Sequence, residues 1–280
     1  MKILTIGNSF TWSLKRYFPE VVHAAGEELE LKFMNFGGCE LERHWGYISA
    51  ELNNPVIRVY GGERMDAALE KTPWDIVTIQ QASHASIHAD TFEPWAGSIV
   101  DFVRKHAPQT EIVVQQTWAY REDHPWFRPG SEQNLDQTAM YRRLTENYKA
   151  LASRYSLRMI PTGYAVQLAR KSALCSSCGD GYTRWPELRA PDLPPSAPDV
   201  VGNFSWRKEA DGEMKLYPDL IHLNPRGQYL QACLWFAFLY GKDPELSAKY
   251  FLPEEFGAQD AAALRNIARL AAQTDFSAIG

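Results

Sequence analysis

The sequence has few cysteines, no long apolar run and no cluster of basic residues. Its four cysteines are too few and too scattered along 280 residues to form a disulfide framework. No apolar stretch approaches the length of a transmembrane helix, so a membrane protein is not expected. Lys and Arg (29) do not outnumber Asp and Glu (34), which makes nucleic acid and anionic membranes unexpected partners.

The chain also lacks internal repeats, low-complexity segments and a recognisable leader. Its first residues already read as a strand, which leaves no room for the apolar core of a signal peptide. We therefore expect a cytoplasmic protein, although a chain from which a leader had been removed would look the same. The oligomeric state is left open.

Cysteine spacing gives one weak indication of a metal site. Cys175-x-x-Cys178-Gly has the form of half a zinc knuckle, but no second Cys/His pair follows at metal-ligand spacing. Free thiols or a local disulfide are expected instead, and Cys39 and Cys233 lie far away in the sequence. We expect no metal and no cofactor.

What is present is the composition of an ordinary globular protein. Hydrophobic residues make up 45% of the chain and charged residues 22%, with a formal net charge of −5. A chain of 280 residues can bury a large core as one domain with additions. The 9 Trp, 13 Tyr and 13 Phe fit a cleft that stacks on sugars and equally fit an aromatic core.

Apolar strands alternate with amphipathic helices along most of the chain. A β-branched run at 3–6 predicts the first strand, and four more are predicted at 29–36, 74–79, 111–116 and 157–161. Helices are predicted at 14–25, 95–106, 135–155, 164–171, 229–240 and 258–273. This alternation predicts an α/β fold in three layers, with a five-stranded parallel sheet covered by helices on both faces.

The stretch from about residue 172 to residue 216 breaks this pattern. It is rich in Pro, Gly, Ser and Asp and has no clear period. An irregular segment of this length is typical of a lid or a binding loop, or is disordered. We expect one α/β domain at 1–245 with 172–216 as a lid-like insertion, and a helical extension at 246–280 packed on its outside.

Ser9 lies where the first predicted strand leads into a helix. Ligands of open α/β sheets bind at this carboxyl edge of the strands. A hydroxyl there lies beside unpaired backbone N–H groups and the positive end of a helix dipole, which suits a nucleophile whose attack creates an oxyanion. The simpler interpretation is that Asn8, Ser9 or Thr11 only caps the helix.

Asp219 and His222 can supply the base that such a serine needs. Their spacing, on a predicted loop before a helix, allows the carboxylate to hold the Nδ1–H of the imidazole. The Nε2 atom then stays free to accept a proton from a hydroxyl. The alternative is that Asp219 merely lies near a helix start and His222 is a satisfied core histidine.

These motifs together resemble the SGNH (GDSL-like) hydrolase superfamily. The stretches at 7–11, 37–41 with His44-Trp45, 115–120 and 222–230 are similar to its DUF4886-type branch, over about residues 1–245 without the insertion. The resemblance implies a flavodoxin-like fold and a serine esterase mechanism. It makes Ser9 the nucleophile, His222 the general base and Asp219 the residue that orients the base.

The resemblance also implies an oxyanion hole. Its donors would be the backbone N–H of Ser9, that of Gly38 (or Gly37), and a side-chain amide after the third strand. This chain lacks the common Gly-x-Asn-Asp there and has Gln80 and Gln81, as in relatives similar to sialate O-acetylesterases. Strand alternation allows only one to point into the site, and we prefer Gln80. The alternative is that both only finish the strand.

The surroundings of these positions are polar or aromatic rather than aliphatic. Asn8, Trp118 and Tyr120 are the candidate substrate-binding residues. The aromatic residues could stack on a sugar, or pack at the rim of the cleft, and His84, His88, His124 and Trp126 could line the same cleft or lie at its edge. A fatty chain would lose about 0.8 kcal/mol for each CH₂ without apolar contact.

We therefore expect a serine esterase that hydrolyses small acyl esters, acetyl above all, on a carbohydrate. Two alternatives remain open at this point. One is a lipase or thioesterase that acts on longer acyl chains. The other is a carbohydrate-binding protein of the same fold that does not catalyse.

Overall fold

Five parallel strands form the central sheet of the protein. The computed structural model describes residues 1–175, 188–193 and 199–275. The strands lie in the order β2-β1-β3-β4-β5, with Ile3 of β1 in register with Leu31 on one side and Ile76 on the other. This is the flavodoxin-like order, and the predicted sheet is confirmed. The strands are β1 (Lys2–Gly7), β2 (Glu30–Asn35), β3 (Ile76–Ile79), β4 (Glu111–Gln115) and β5 (Arg158–Ile160).

Helices cover the two faces of the sheet. They are α1 (Ser9–Trp12), α2 (Phe18–Ala24), α3 (Leu41–Asn53), α4 (Met65–Lys71), α5 (Trp95–His106), α6 (Gln137–Tyr155), α7 (Thr162–Arg170), α8 (Pro225–Tyr240) and α9 (Ala258–Gln273). Helix α8 packs against α2, α7 and α9, whereas α5 packs against α3 and α4. No helix within the described ranges has the length and apolarity to cross a membrane.

The helix predicted after Ser9 is broken into pieces. Helix α1 is followed by a 3-10 turn at Ser13–Lys15, and α2 begins only at Phe18. Pro19 lies in the first turn of α2, where its missing N–H costs nothing and its fixed φ favours a new start. Gly26 follows the end of α2 with φ +77°, as the sequence predicts for a helix stop.

The predicted irregular insertion contains a β-hairpin. Strands β6 (Val201–Lys208) and β7 (Met214–Leu223) pair antiparallel, with Asn203 opposite Asp219. Asp219 and His222 therefore lie on a strand, which corrects the predicted loop. Residues 194–198, like Cys178, lie outside the described residues, so the role of the insertion as a lid stays a prediction.

Buried polar contacts hold the base of this hairpin. Arg170 and Asp199 form an ion pair at 2.9 Å, with side chains 9% and 5% exposed. Asp199 Oδ1 also accepts the backbone N–H groups of Val200 and Val201, at 2.7 and 3.2 Å. Asn224 Nδ2 donates to the Asp199 carbonyl at 2.7 Å. The hairpin is thereby joined to the end of α7 and to the start of α8.

Helix α8 begins at Pro225, three residues after His222. Asn224 is its N-cap, since its Oδ1 accepts the Gly227 N–H at 3.1 Å, and Pro225 occupies the first turn. The helix ends at Gly241, which has φ +64°. Its residues are apolar almost all round because it lies between other helices and the sheet. A rigid core helix thus fixes the strand end that carries His222.

Candidate active site

Ser9 is the first residue of α1, at the carboxyl end of β1. The cap of this short helix is Asn8, whose Oδ1 accepts the Phe10 N–H at 3.1 Å. The Asn8 carbonyl accepts the N–H groups of Thr11 and Trp12. Since Asn8 satisfies the helix start, the hydroxyl of half-buried Ser9 is not needed as a cap.

The Ser9 hydroxyl meets the imidazole of His222. Ser9 Oγ lies 2.9 Å from His222 Nε2, and His222 Nδ1 lies 2.7 Å from Asp219 Oδ2. A carboxylate at Nδ1 keeps the proton on that nitrogen and leaves Nε2 to accept from the hydroxyl. The structure therefore brings together the three residues that the sequence singles out. Such an arrangement can move a proton from the serine to the histidine.

The Asp219 carboxylate is held in a fixed orientation. Its Oδ1 accepts the backbone N–H groups of Ile221 and His222 at 3.1 and 3.0 Å, while its Oδ2 accepts from the ring. Burial acts to raise the pKa of Asp219, but the hydrogen bonds and the charge of His222 outweigh it, and the pKa lies below its usual value. The carboxylate therefore stays ionised at neutral pH.

A glycine loop lies beside Ser9. Gly37 and Gly38 are exposed, and Gly38 has φ +60°, a conformation that favours glycine. Asn8 Nδ2 holds the loop by donating to the Cys39 carbonyl at 3.1 Å. Among the described residues, neither the Ser9 N–H nor the Gly38 N–H has a hydrogen-bond partner. These two groups are available to donate to an oxyanion.

Both glutamines after β3 use their side-chain amides to hold neighbouring loops. Gln80 Nε2 donates to Asn8 Oδ1 at 2.6 Å, and its Oε1 accepts from Thr11 Oγ1. Gln81 Nε2 donates to the Thr91 carbonyl at 2.8 Å. Its Oε1 accepts the backbone N–H groups of Leu41 and of Ala82. Both side chains are fully buried. Both side chains thus hold the loops around the site, and the role of either glutamine as the third oxyanion donor stays a prediction.

The predicted substrate-binding residues take different positions. Trp118 lies beside the cleft at Ser9 but is fully buried, stacked on Phe10 at 4.1 Å with its Nε1 donating to the Ile221 carbonyl, so it offers no open stacking surface for a sugar. Tyr120 is buried, and its hydroxyl bonds to Ser83 Oγ at 2.9 Å, so its ring is no open surface for a sugar. Asn8 is buried and supports the turn.

The cleft at Ser9 has a volume of about 310 Å³. Trp12, Asn203 and Gln228 line it as well, and sequence reasoning missed all three. Trp12 follows Ser9 by one helical turn, a spacing that was readable in the sequence. Asn203 and Gln228 could not be found that way, because only the hairpin and α8 bring them to the cleft.

His44 contacts the carboxyl end of β1. Its Nε2 lies 3.0 Å from the Gly7 carbonyl and its Nδ1 2.9 Å from the Tyr60 hydroxyl. The ring therefore donates to Gly7 and accepts from Tyr60. Complete burial lowers the pKa of His44 to about 4, so the ring is neutral.

This buried histidine predicts that the protein loses stability in acid. The unfolded chain takes up the proton near the ordinary pKa of 6.5, whereas the folded chain does so only near 4. The free energy of unfolding should therefore fall from pH 7.5 to pH 4.5, by about 2.5 kcal/mol from His44 alone. Urea unfolding at the two pH values measures this.

The matched variant is His44→Gln, which can still donate to Gly7 but does not titrate. Its own pH-dependent loss should be smaller than that of the wild type by the His44 contribution. His124, whose pKa burial also lowers to about 4, contributes equally to both proteins and cancels. Equal losses in the two proteins would contradict the assignment.

Metal ligands do not cluster in the described ranges, where no group of three His, Cys, Asp or Glu side chains could hold an ion. Cys175 is half-buried, and burial raises its pKa to about 11, which leaves it an unreactive thiol. Its predicted companion Cys178 lies outside the described residues.

Comparison with known proteins identifies the family of this chain. Among curated proteins, none matches this chain. The crystal structure of a DUF4886 family protein from Bacteroides uniformis ATCC 8492 is similar, with a TM-score of 0.72 and 24% identity over 97% of this chain and 94% of that chain. A proposed SGNH hydrolase from Slackia heliotrinireducens has a TM-score of 0.49 and 21% identity, over 83% of this chain and 95% of that one.

A proposed GDSL-like lipase from Parabacteroides merdae ATCC 43184 has a TM-score of 0.47 and 12% identity, over 84% of this chain and 93% of that one. The model of the family called Domain of unknown function (DUF4886) matches residues 2–186, which is more than half of the chain. The chain therefore belongs to the DUF4886 family, as the sequence motifs predict.

Proposed function

We propose that this protein is a serine ester hydrolase that removes small acyl groups, acetyl above all, from a carbohydrate. The observation that carries the proposal is the hydrogen-bonded series Ser9–His222–Asp219, which opens onto the cleft. Serine, histidine and aspartate in this order are suited to nucleophilic attack on an ester carbonyl.

Catalysis starts from the Ser9 hydroxyl. Its proton passes to His222 Nε2 while Oγ bonds to the ester carbonyl carbon, and the carbonyl oxygen becomes an oxyanion. The Ser9 and Gly38 N–H groups donate to that oxyanion, each worth about 3 kcal/mol of barrier. The alcohol leaves with the proton from His222. Water then attacks the acyl-serine by the same route and releases the acid.

The size and lining of the cleft favour a short acyl group. At about 310 Å³ it is at the low end of ligand pockets. Half-buried Trp12 contributes an indole ring to it, whereas Trp118 and Leu223, which also line it, are almost fully buried. A long acyl chain would leave most of its CH₂ groups without apolar contact, whereas an acetyl group fits. The amides of Asn203 and Gln228 supply polar contacts for a hydroxyl-rich alcohol.

Turnover of p-nitrophenyl esters of increasing acyl length tests this proposal. We expect kcat/KM to be highest for acetate and to fall at least about tenfold by octanoate, because the longer chain finds no matching apolar surface. Trp12→Ala should shift the optimum toward butyrate, since removing the indole enlarges the cleft. A steady rise of wild-type kcat/KM from acetate to octanoate would contradict the small-acyl proposal and support a lipase.

A further inference from the structure

A second pocket lies at the start of α3 and the segment that follows β3. Its volume is about 440 Å³. The residues that matter for its chemistry are Glu40, Glu42, Arg43, His84, His88 and Trp126, which come from three separate loops and one helix. Ser9, Asp219 and His222 are not among the residues that line it.

The pocket is close to the site at Ser9. Glu40 follows the Cys39 peptide that Asn8 Nδ2 holds at 3.1 Å, and Asn8 precedes Ser9. Arg43 Nη1 donates to the Gly38 carbonyl at 3.2 Å. One wall of the pocket is thus continuous with the loop that offers the Gly38 N–H.

The polar groups of the pocket are fixed rather than free to rotate. Glu40 Oε1 lies 2.8 Å from His84 Nε2, and Glu40 Oε2 accepts from Arg43 Nη1 at 3.2 Å. Burial acts to raise the pKa of Glu40, but hydrogen bonds from its own backbone and from these two side chains outweigh it and lower the pKa. An oriented carboxylate flanked by donors can bind two neighbouring hydroxyls at once.

An aromatic ring forms another wall. Trp126 is half-buried, with its ring 5.2 Å from that of Tyr120 and 5.6 Å from that of His124. These contacts hold the indole in place while part of it stays accessible in the pocket. A fixed aromatic surface beside convergent hydrogen-bonding groups is suited to a ring that is apolar on its face and polar at its edge.

The charge of the pocket selects among such rings. Two carboxylates, Glu40 and Glu42, face a single guanidinium, Arg43. Arg43 already donates to Glu40, to the Gly38 carbonyl and to the Tyr47 hydroxyl. Among the described lining residues, the two carboxylates thus outnumber the one guanidinium, most of whose donors are already used within the protein. A ligand with a carboxylate, sulfate or phosphate group would be repelled.

We propose that this pocket is a subsite for a neutral saccharide ring. The assignment rests on the proposed function, because it makes the pocket the place where the sugar part of the ester binds while the acyl group lies at Ser9. It adds a substrate class to that function: an acylated neutral saccharide, not an acidic one.

Binding is tested without turnover in the Ser9→Ala protein. The probes are methyl glycosides of neutral hexoses and pentoses, each paired with the corresponding uronate, titrated by calorimetry. We expect at least one neutral glycoside to bind and its uronate to bind at least about tenfold more weakly. Adding Trp126→Ala or His84→Ala to this protein should weaken its affinity for the neutral glycoside about tenfold. His84 is exposed, so its variant keeps the test valid if Trp126→Ala disturbs folding.

Turnover gives a second measurement. The ratio of kcat/KM for acetylated methyl glycosides to that for p-nitrophenyl acetate should fall about tenfold in Trp126→Ala, mainly through KM. Tyr250→Ala, which removes an aromatic ring that is 71% exposed and outside both pockets, should change neither value.

The outcomes separate the two proposals. If no neutral glycoside binds, if uronates bind better, or if the Trp126 and His84 variants bind like their parent, the subsite is overturned. If saccharides bind as expected but the wild type hydrolyses no ester, the proposed function fails and the subsite stands as a carbohydrate-binding site.

Discussion

Replacing Ser9 by alanine is expected to lower kcat for p-nitrophenyl acetate at least about 10³-fold. The side chain loses the Oγ atom that bonds to the acyl carbon, and no second hydroxyl occupies that position next to His222 Nε2 among the described residues. The thermal midpoint should stay nearly unchanged, because Asn8 caps α1 and, in the part of the chain that the structure describes, the hydroxyl bonds to His222 alone.

The matched control is Ser98→Ala. Ser98 is also half-buried and on a helix, and its Oγ donates to the Pro94 carbonyl at 3.1 Å. Its variant should keep full turnover. A fluorophosphonate probe should label the wild type and the Ser98 variant at Ser9 and leave the Ser9→Ala protein unlabelled, as read by mass spectrometry. Wild-type turnover in Ser9→Ala would exclude the proposed mechanism.

Asp199→Ala should lower the free energy of unfolding by about 3–5 kcal/mol. The substitution leaves the buried guanidinium of Arg170 without its carboxylate, and a buried unpaired charge is costly. It also removes the acceptor of the Val200 and Val201 N–H groups at the base of the hairpin. Urea unfolding followed by tryptophan fluorescence measures the loss.

Glu111→Ala supplies the control for that measurement. Glu111 pairs with Arg158 at 2.6 Å, but both side chains are exposed, at 41% and 49%. An ion pair in water contributes about 0–1 kcal/mol, so this variant should be nearly as stable as the wild type. Equal losses of unfolding free energy in the two variants would show that burial of the Arg170 pair does not increase its contribution to stability.

The sheet could be predicted from the sequence, whereas α3 could not. Strands such as β1 are buried on both faces and therefore read as continuous apolar runs. The buried face of α3 includes His44 and Glu51 besides Leu41 and Ile48. Two of its four buried positions are polar, which hides the helical period from a search for apolar residues.

The hairpin was hidden for a different reason. Gly202 and Pro218 interrupt its strands, and both residue types argue against a strand interior. Gly202 is required because a Cβ there would lie 2.9 Å from the side chain of Arg121, and its φ is +111°. These constraints come from packing against a distant loop, so a local pattern cannot reveal them.

The three candidate site residues were found from their order along the chain and their places at strand and helix ends. The side-chain geometry around them was not accessible in that way. The preference for Gln80 assumed that one face of β3 opens on the site. In the structure both Gln80 and Gln81 are covered, since loops from β1 and β2 close over the strand end.

The separation of 213 positions between Ser9 and His222 has a consequence for the newly made chain. Synthesis releases the serine early, long before the hairpin and α8 exist. Until those elements dock, the hydroxyl has no base beside it and behaves as any alcohol in water. We therefore expect hydrolytic activity to appear last in refolding, after the sheet has formed.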